Sequence, residues 1–434
     1  MDVTGPNASP ASSIFDVDQA ESAARIAHDI QTLSVPPYTD ASVNGICRYA
    51  YTPEFREATV YLQREFEALD YHVSFDPVGS LVARNRPLGQ AVFGLGSHFD
   101  SVRGGGRYDG TLGVVTALEV CRLNRELGLG VPLQVIGFLE EEGSGFGQML
   151  LGSRIMAGLV TDDQLRTIKS LDDGRSFWAH AEEAGYEPAR WRESAAVLDD
   201  VTGWIEMHIE QGRVLEESGR RFGVVEAIAG YVHSDVTVHG RADHAGATPM
   251  ALRYDAGVVA AEVILELERR ALASAKSIVG TVGEIACRPN VINIIPEELR
   301  LSLDIRGLDQ RECLRATSDI AEFARAAAEA RGMSSSYTER GRSPTTFMDP
   351  GLVAALESAA SELGQSHMRM HSGAAHDTMC LAGQIPSAML FVQCVDGVSH
   401  SPLEEASPSD ASAAAHIMLW AMHSLMSKQA LDSV

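Results

Sequence analysis

The run Val135-Ile136-Gly137-Phe138-Leu139 is almost wholly apolar, and it ends abruptly in Glu140-Glu141-Glu142-Gly143. A segment this short with no polar side reads as a strand covered on both faces, as in a parallel sheet. Three carboxylates at its end then fall where open α/β sheets place their ligands, outside the strand's carboxyl edge. A dry, unpaired carboxylate costs several kcal/mol. The cluster is therefore either a solvated acidic loop or is held by positive charge.

The pattern recurs twice. Ala91 to Ser97 is another buried-strand run, ending in His98-Phe99-Asp100, and Ser387 to Cys394 leads into a loop that carries His400. Three apolar strands thus end in side chains competent to bind a metal. The Gly-rich stretch Gly104 to Gly110 has neither the spacing of a phosphate-binding loop nor that of a dinucleotide fingerprint. Its glycines are expected to turn the backbone sharply and bring Asp109 back towards His98. In His98-x-Asp100 the carboxylate would take the N–H of a ligating imidazole and fix its tautomer. Gly203 to Gly212 alternates, with Ile205, Met207 and Ile209 on one face and Glu206, His208 and Glu210 on the other. That second face is either an exposed polar edge or a ligand histidine between supporting carboxylates.

Helical spacing covers 14–33, 53–70 and 112–123, and short strands are expected at 71–75 and 81–84. Residues 148–201 read as helices and loops. From about residue 230 the order is strand (231–238), helix (251–271), strands (277–287 and 299–305), helix (309–330) and strand (335–339), a split βαββαβ, ferredoxin-like unit. It interrupts an α/β pattern that resumes after Pro350. The expected fold class is α/β, a mixed-sheet domain over 1–228 and 343–434 with an inserted ferredoxin-like domain over 229–342. Residues 1–13 read as a disordered tail.

A formal net charge of −24 argues against nucleic acid or an anionic membrane as a partner. No apolar run approaches the roughly 18 residues of a membrane span, and the N-terminus lacks the marks of a signal peptide. The six cysteines are widely spaced and read as reduced, mostly buried thiols of a cytoplasmic protein.

Histidines, an aspartate and a glutamate pair make a set suited to two divalent cations: zinc, manganese, cobalt or nickel. A carboxylate can bridge two such ions, and adjacent glutamates can divide the roles of ligand and general base.

The motifs GSHFDSV with RYDG, EEG, HIEQG, ADHAGATPM, NIIP with SLDIR, SGAAHD and GVSHSP resemble those of the hydantoinase/carbamoylase family of amidases. This family groups N-carbamoyl-L-amino-acid hydrolase, β-ureidopropionase and allantoate amidohydrolase within the di-metal aminoacylase and carboxypeptidase superfamily. The resemblance runs from about residue 20 to 425. It implies two divalent metal ions per subunit, with His98 and His208 on one, Glu142 and His400 on the other, and Asp109 bridging. Glu141 would be the general base, with Glu140 a bystander or a supporting group behind the ligands, and Asp100 holding a ligand from behind. The insertion would be a lid and dimerisation domain of a homodimer in which the partner completes each site. His244 would stabilise the oxyanion of the tetrahedral intermediate, although a histidine there could instead stabilise its own turn. Arg306 would clamp a substrate carboxylate bidentately, although an ion pair with Asp304 would occupy it equally well. Gln211 and Asn293 would add hydrogen bonds. His371 and His376 are expected to be local hydrogen-bonding groups, and His416 and His423 to lie on the surface of a C-terminal helix.

Two positions depart from the family pattern. Gly145 stands where EEGxRF has arginine, and Ala375 replaces a glycine of SGAGHD beside the expected substrate pocket. The expected reaction is hydrolysis of a linear amide or ureido C–N bond in a small carboxylated substrate. An aminoacylase or dipeptidase with the same metals is the competing expectation.

Overall fold

The computed structural model describes residues 19–432, and side chains up to residue 428; the expected N-terminal tail lies outside this range. The chain forms two compact units. One comprises residues up to Glu226 with Phe347–Met370 and Ala375 onwards; the other is Ala227–Thr346 with His371–Ala374.

The first unit opens with helices α1 (Gln19–Leu33) and α2 (Pro53–Glu67), then strands β1 (His72–Phe75), β2 (Leu81–Arg84) and β3 (Val92–His98). Helix α3 (Thr111–Glu126) and strand β4 (Leu133–Phe138) follow, then short helices α4 (Leu151–Met156), α5 (Asp162–Thr167) and α6 (Phe177–Glu183). Strand β5 (Val201–Ile209), helix α7 (Val214–Ser218) and strand β6 (Phe222–Ile228) complete this stretch.

The second unit contains β7 (Gly230–His239), α8 (Ala256–Ala273), β8 (Ile278–Thr281), β9 (Ile285–Arg288), β10 (Glu298–Gly307), α9 (Gln310–Glu329) and β11 (Ser334–Ser343). The chain then adds β12 (Thr346–Phe347), α10 (Pro350–Glu362), β13 (His367–Ser372), α11 (Thr378–Leu381), β14 (Ser387–Val392) and α12 (Pro408–Asp432).

The large sheet runs β1-β2-β4-β3-β5-β14-β6-β12, with β13 beside β6. Its centre, β4-β3-β5-β14, is parallel, and its flanks β2 and β6 are antiparallel to it. Every residue of β3, β4 and β14 is buried, as unbroken apolar strands require. β5 is buried on both faces except at Thr202, so its polar face is not an exposed edge. Glu206 is accommodated by Ser97 Oγ (2.9 Å) and by the Thr378 N–H and hydroxyl (3.0 and 2.6 Å).

Helix α12 corrects one expectation. His416 is not on the surface: it is 2% exposed, with Nδ1 2.8 Å from the Ser412 carbonyl. The helix is small or apolar on all sides from Ala411 to Met422 and is buried throughout that stretch, so it has no wet face there. His423 is half-buried and stacks on Trp420. Five of the six cysteines are buried and all are free thiols. Among the described residues no helix is long and apolar enough to cross a membrane.

In the second unit, β11-β7-β10-β8 form an antiparallel sheet with β9 also on β10. Strict alternation in β7 and β10 turns Val232, Val236, Leu301, Leu303 and Ile305 onto Val259, Val263 and Leu267 of α8 and Ile320 of α9. The single strand expected over 277–287 is two. Ser302 interrupts the ladder by exchanging bonds with Glu284 through its N–H and hydroxyl (3.0 and 2.8 Å).

Gly96 in β3 marks the tightest packing of the large sheet. A Cβ there would lie 1.9 Å from the Ile136 carbonyl oxygen and 2.9 Å from the Trp204 ring. Gly96→Ala is expected to cost about 3 kcal/mol. A urea midpoint equal to wild type would contradict this packing.

Candidate metal centre

Four neighbouring parallel strands deliver the candidate side chains at their carboxyl ends. His98 closes β3, Glu140 to Glu142 follow β4, His208 is next to last in β5, and His400 lies on the loop after β14. Asp109 arrives from the glycine loop at the start of α3. Gly110 makes the approach possible, since a Cβ there would be 2.3 Å from the His98 ring.

Asp109 occupies the middle. Its Oδ1 lies 3.2 Å from His208 Nε2 and 3.7 Å from His98 Nε2. Its Oδ2 lies 3.3 Å from His400 Nε2, which is 3.5 Å from Glu142 Oε2. Three groups hold ligand atoms within 4.8 Å of one another: His98, Asp109 and His208; Asp109, Glu142 and His400; and His98, Glu141 and Glu142.

The histidine tautomers suit ligation. His208 Nδ1 is 2.9 Å from the Ile209 carbonyl and His98 Nδ1 is 3.2 Å from the Asp100 carbonyl. With Nδ1 directed at a backbone carbonyl, each ring turns Nε2 towards Asp109, the atom that would ligate a metal. The Asp100 carboxylate accepts from the Glu141 and Glu142 N–H groups (3.1 Å each) and lies 3.5 Å from His98 Nδ1. It thus holds the glutamate turn as well as the imidazole. Behind it, the buried Arg48 guanidinium donates to the carbonyls of Phe99 (2.5 Å), Leu33 and Tyr38 (2.8 Å each) and to Thr111 Oγ1 (3.0 Å). Burial lowers its pKa to about 10.

The charge balance favours cations. Among the described residues Asp109, Glu141 and Glu142 form ion pairs with histidines alone. Burial drives Glu141 well above the usual carboxylate range. Burial, then the charge of Asp109, pushes Glu142 up to about 7. Burial would raise Asp109 too, but bonds from His208 and His400 hold it well below its ordinary value. The bond to Asp109 carries His400 up to about 9. Carboxylates this dry and this short of positive partners fit two divalent ions. Backbone strain gathers here too: Glu140, Gln211 and His400 have φ of 54°, 58° and 56°.

Glu140 turns away from the cluster. Its Oε1 accepts from the Gly145 and Phe146 N–H groups (2.7 Å each). Any side chain at position 145 would start with a Cβ 2.9 Å from its Oε2. Gln211 Nε2 donates to Asp109 Oδ2 (2.8 Å) while its Oε1 is buried without a partner. Glu210 caps α7 through the Val214 and Leu215 N–H groups. His376 is buried edge-on against His208. Ala375 packs on Leu150, Ala157 and Cys380.

The remaining candidates belong to the second unit. His244 is exposed, and its Nδ1 accepts from Gly246 and Ala247 (3.1 Å each). This bonding stabilises the turn and leaves Nε2 uncommitted. Asn293 stands beside it, with its carbonyl accepting from Ala245 (3.0 Å). Arg306 makes the ion pair with Asp304 (2.8 Å) and donates to the Gly373 carbonyl (2.7 Å). Ser399, which lies in the GVSHSP stretch but carries no expected role there, and Glu404, which lies outside the motifs, also reach Asp109.

The model of peptidase family M20/M25/M40 matches residues 94–423, which span every candidate ligand, and the chain belongs to that family. Its place there is with the hydantoinase/carbamoylase amidases. It is 36% identical to an N-carbamoyl-L-amino acid amidohydrolase of Geobacillus stearothermophilus, over 86% of this chain and 92% of that one. It is 33% identical to an allantoate amidohydrolase of Bacillus subtilis, over 85% and 89%. The crystal structure of a hydantoinase/carbamoylase family amidase from Burkholderia multivorans superposes with a TM-score of 0.83 at 30% identity, over 94% and 98% of the chains.

Proposed function

We propose that the chain is a metal-dependent amidohydrolase that cleaves a linear ureido or amide C–N bond. Its substrate would be an N-carbamoyl-L-amino acid or a related ureido acid such as allantoate or β-ureidopropionate. The observation that carries this reading is the position of Asp109, whose two oxygens face different histidines. His98 and His208 would hold one ion, and Glu142 and His400 the other, with Asp109 between them. When bound, such a pair supplies Lewis acidity and lowers the pKa of water to roughly 7. Zinc, manganese, cobalt and nickel all suit these donors.

Glu141 is the carboxylate left over. Its Oε2 is 3.7 Å from His98 Nε2, and its raised affinity for protons suits a base that takes a proton from water and returns it to the departing nitrogen. The products would be the amino acid and carbamate, which decomposes to carbon dioxide and ammonia. The second unit is read as a ferredoxin-like lid and dimerisation domain, in keeping with its strand order β11-β7-β10-β8 under two helices. On this reading His244 Nε2 hydrogen-bonds the oxyanion, and Asn293, Gln211 and Arg306 bind the carboxylate and carbamoyl ends. Arg306 would exchange part of its hold on Asp304 for substrate.

The test is a panel of N-carbamoyl amino acids, allantoate, β-ureidopropionate, N-acetyl amino acids and dipeptides, assayed for ammonia or amine release. At least one ureido acid should turn over with kcat/KM about 10-fold or more above every dipeptide. Dialysis against a chelator should abolish that activity, and divalent metal should restore it. A preference for dipeptides, or full activity in metal-free protein, would overturn the assignment.

A further inference from the structure

Glu404 is 2% exposed, whereas its neighbour Glu405 is exposed. Its Oε1 accepts from the N–H groups of Tyr108 (2.8 Å) and Asp109 (3.0 Å), across 295 residues of sequence in the second case. Its Oε2 is 3.0 Å from Ser399 Oγ, and the same hydroxyl is 2.8 Å from Asp109 Oδ2. One carboxylate therefore holds the peptide of Asp109 and, through Ser399, its side chain as well. The same contacts tie the loop carrying His400 to the loop carrying Asp109.

The slot is closely shaped. Gly106 lies against the carboxylate, and a Cβ on residue 106 would be 2.1 Å from Glu404 Oε1. Nothing in the reaction needs a carboxylate here, since Glu404 is in none of the groups of converging ligand atoms. Ser399 has one proton for two carboxylates. A glutamine at 404 would keep an oxygen for the two N–H groups and offer N–H to Ser399, freeing that hydroxyl to serve Asp109 alone.

We propose that Glu404 is a positioning residue that sets the His400 side of the metal centre. It does so by locking the Asp109 and Ser399–His400 segments in register. The inference rests on the two-ion reading of the site. His98 and His208 are fixed by strands β3 and β5 and face Asp109 Oδ1, whereas Ser399 holds Oδ2, the oxygen that faces His400, so the loss of Glu404 should fall mainly on the His400 side. His400 is on a loop, half-exposed, in a left-handed conformation, and depends on this lock.

The test is titration of metal-free full-length protein with cobalt(II), read by calorimetry and by the visible absorption of the ion. The wild type should take two equivalents; one or none would defeat the two-ion reading itself, separately from this proposal. Glu404→Ala should bind the first equivalent as wild type does and the second at least 10-fold more weakly, a typical loss for groups that support ligands. Its kcat should recover as cobalt is raised. Gly106→Ala, which displaces the carboxylate without removing it, should reproduce this, and Glu404→Gln should keep both equivalents. If Glu404→Ala does not fold, Gly106→Ala decides. An unchanged second equivalent, or equal weakening of both, overturns the proposal, because a merely structural role would not single out one ion.

Discussion

Glu141→Gln should lower kcat by about 10³, within the range general-base catalysis supplies, while two equivalents of metal stay bound. The substitution keeps the size of the side chain and removes only its capacity to hold a proton. Burial already favours the protonated form of Glu141, so its basicity is what the reaction would draw on. Its Oε2 is within 3.7 Å of His98 Nε2, close enough to act as a ligand instead. Metal content separates the two roles. Turnover above about a tenth of wild type would place the base elsewhere, and loss of one metal equivalent would make Glu141 a ligand.

Asp109→Ala is expected to have the largest effect of any single change: loss of both tightly bound ions and a fall in kcat/KM of at least about 10³. It removes the acceptor that His208 and His400 share, and the partner of Gln211 and Ser399. A second readout is thermal. An ion that binds only the native state raises Tm by mass action, so added metal should raise the Tm of the wild type and leave that of Asp109→Ala unchanged. A variant that still binds two ions and responds thermally would remove the bridge from the proposed centre.

Much of the centre is written in short stretches of sequence. His98, the Glu140–Glu142 turn and His400 each follow an apolar run, and such a run reads as a covered strand in a sheet whose carboxyl edge gathers ligands. Gly110 is similarly legible, because bringing Asp109 under His98 leaves no room for a side chain. His208 was ambiguous for a physical reason. Alternation of polar and apolar residues describes a half-wet strand, and only the placement of β5 between β3 and β14, with Ser97 and Thr378 on Glu206, makes that face dry. His416 misled because a lone histidine looks like a surface residue, whereas the helix around it is apolar on every side.

The sequence by itself determined which residue types stand at the strand ends and so the kind of chemistry available. Strand period and apolar runs act over a few neighbouring residues and can be read without a fold. Only the tertiary structure decided which oxygen of Asp109 faces which histidine. It also gave Asp100 to the glutamate turn, and buried Glu404 while leaving Glu405 in water. Those outcomes depend on polar contacts between segments as much as 296 residues apart, and no local pattern encodes such a pairing.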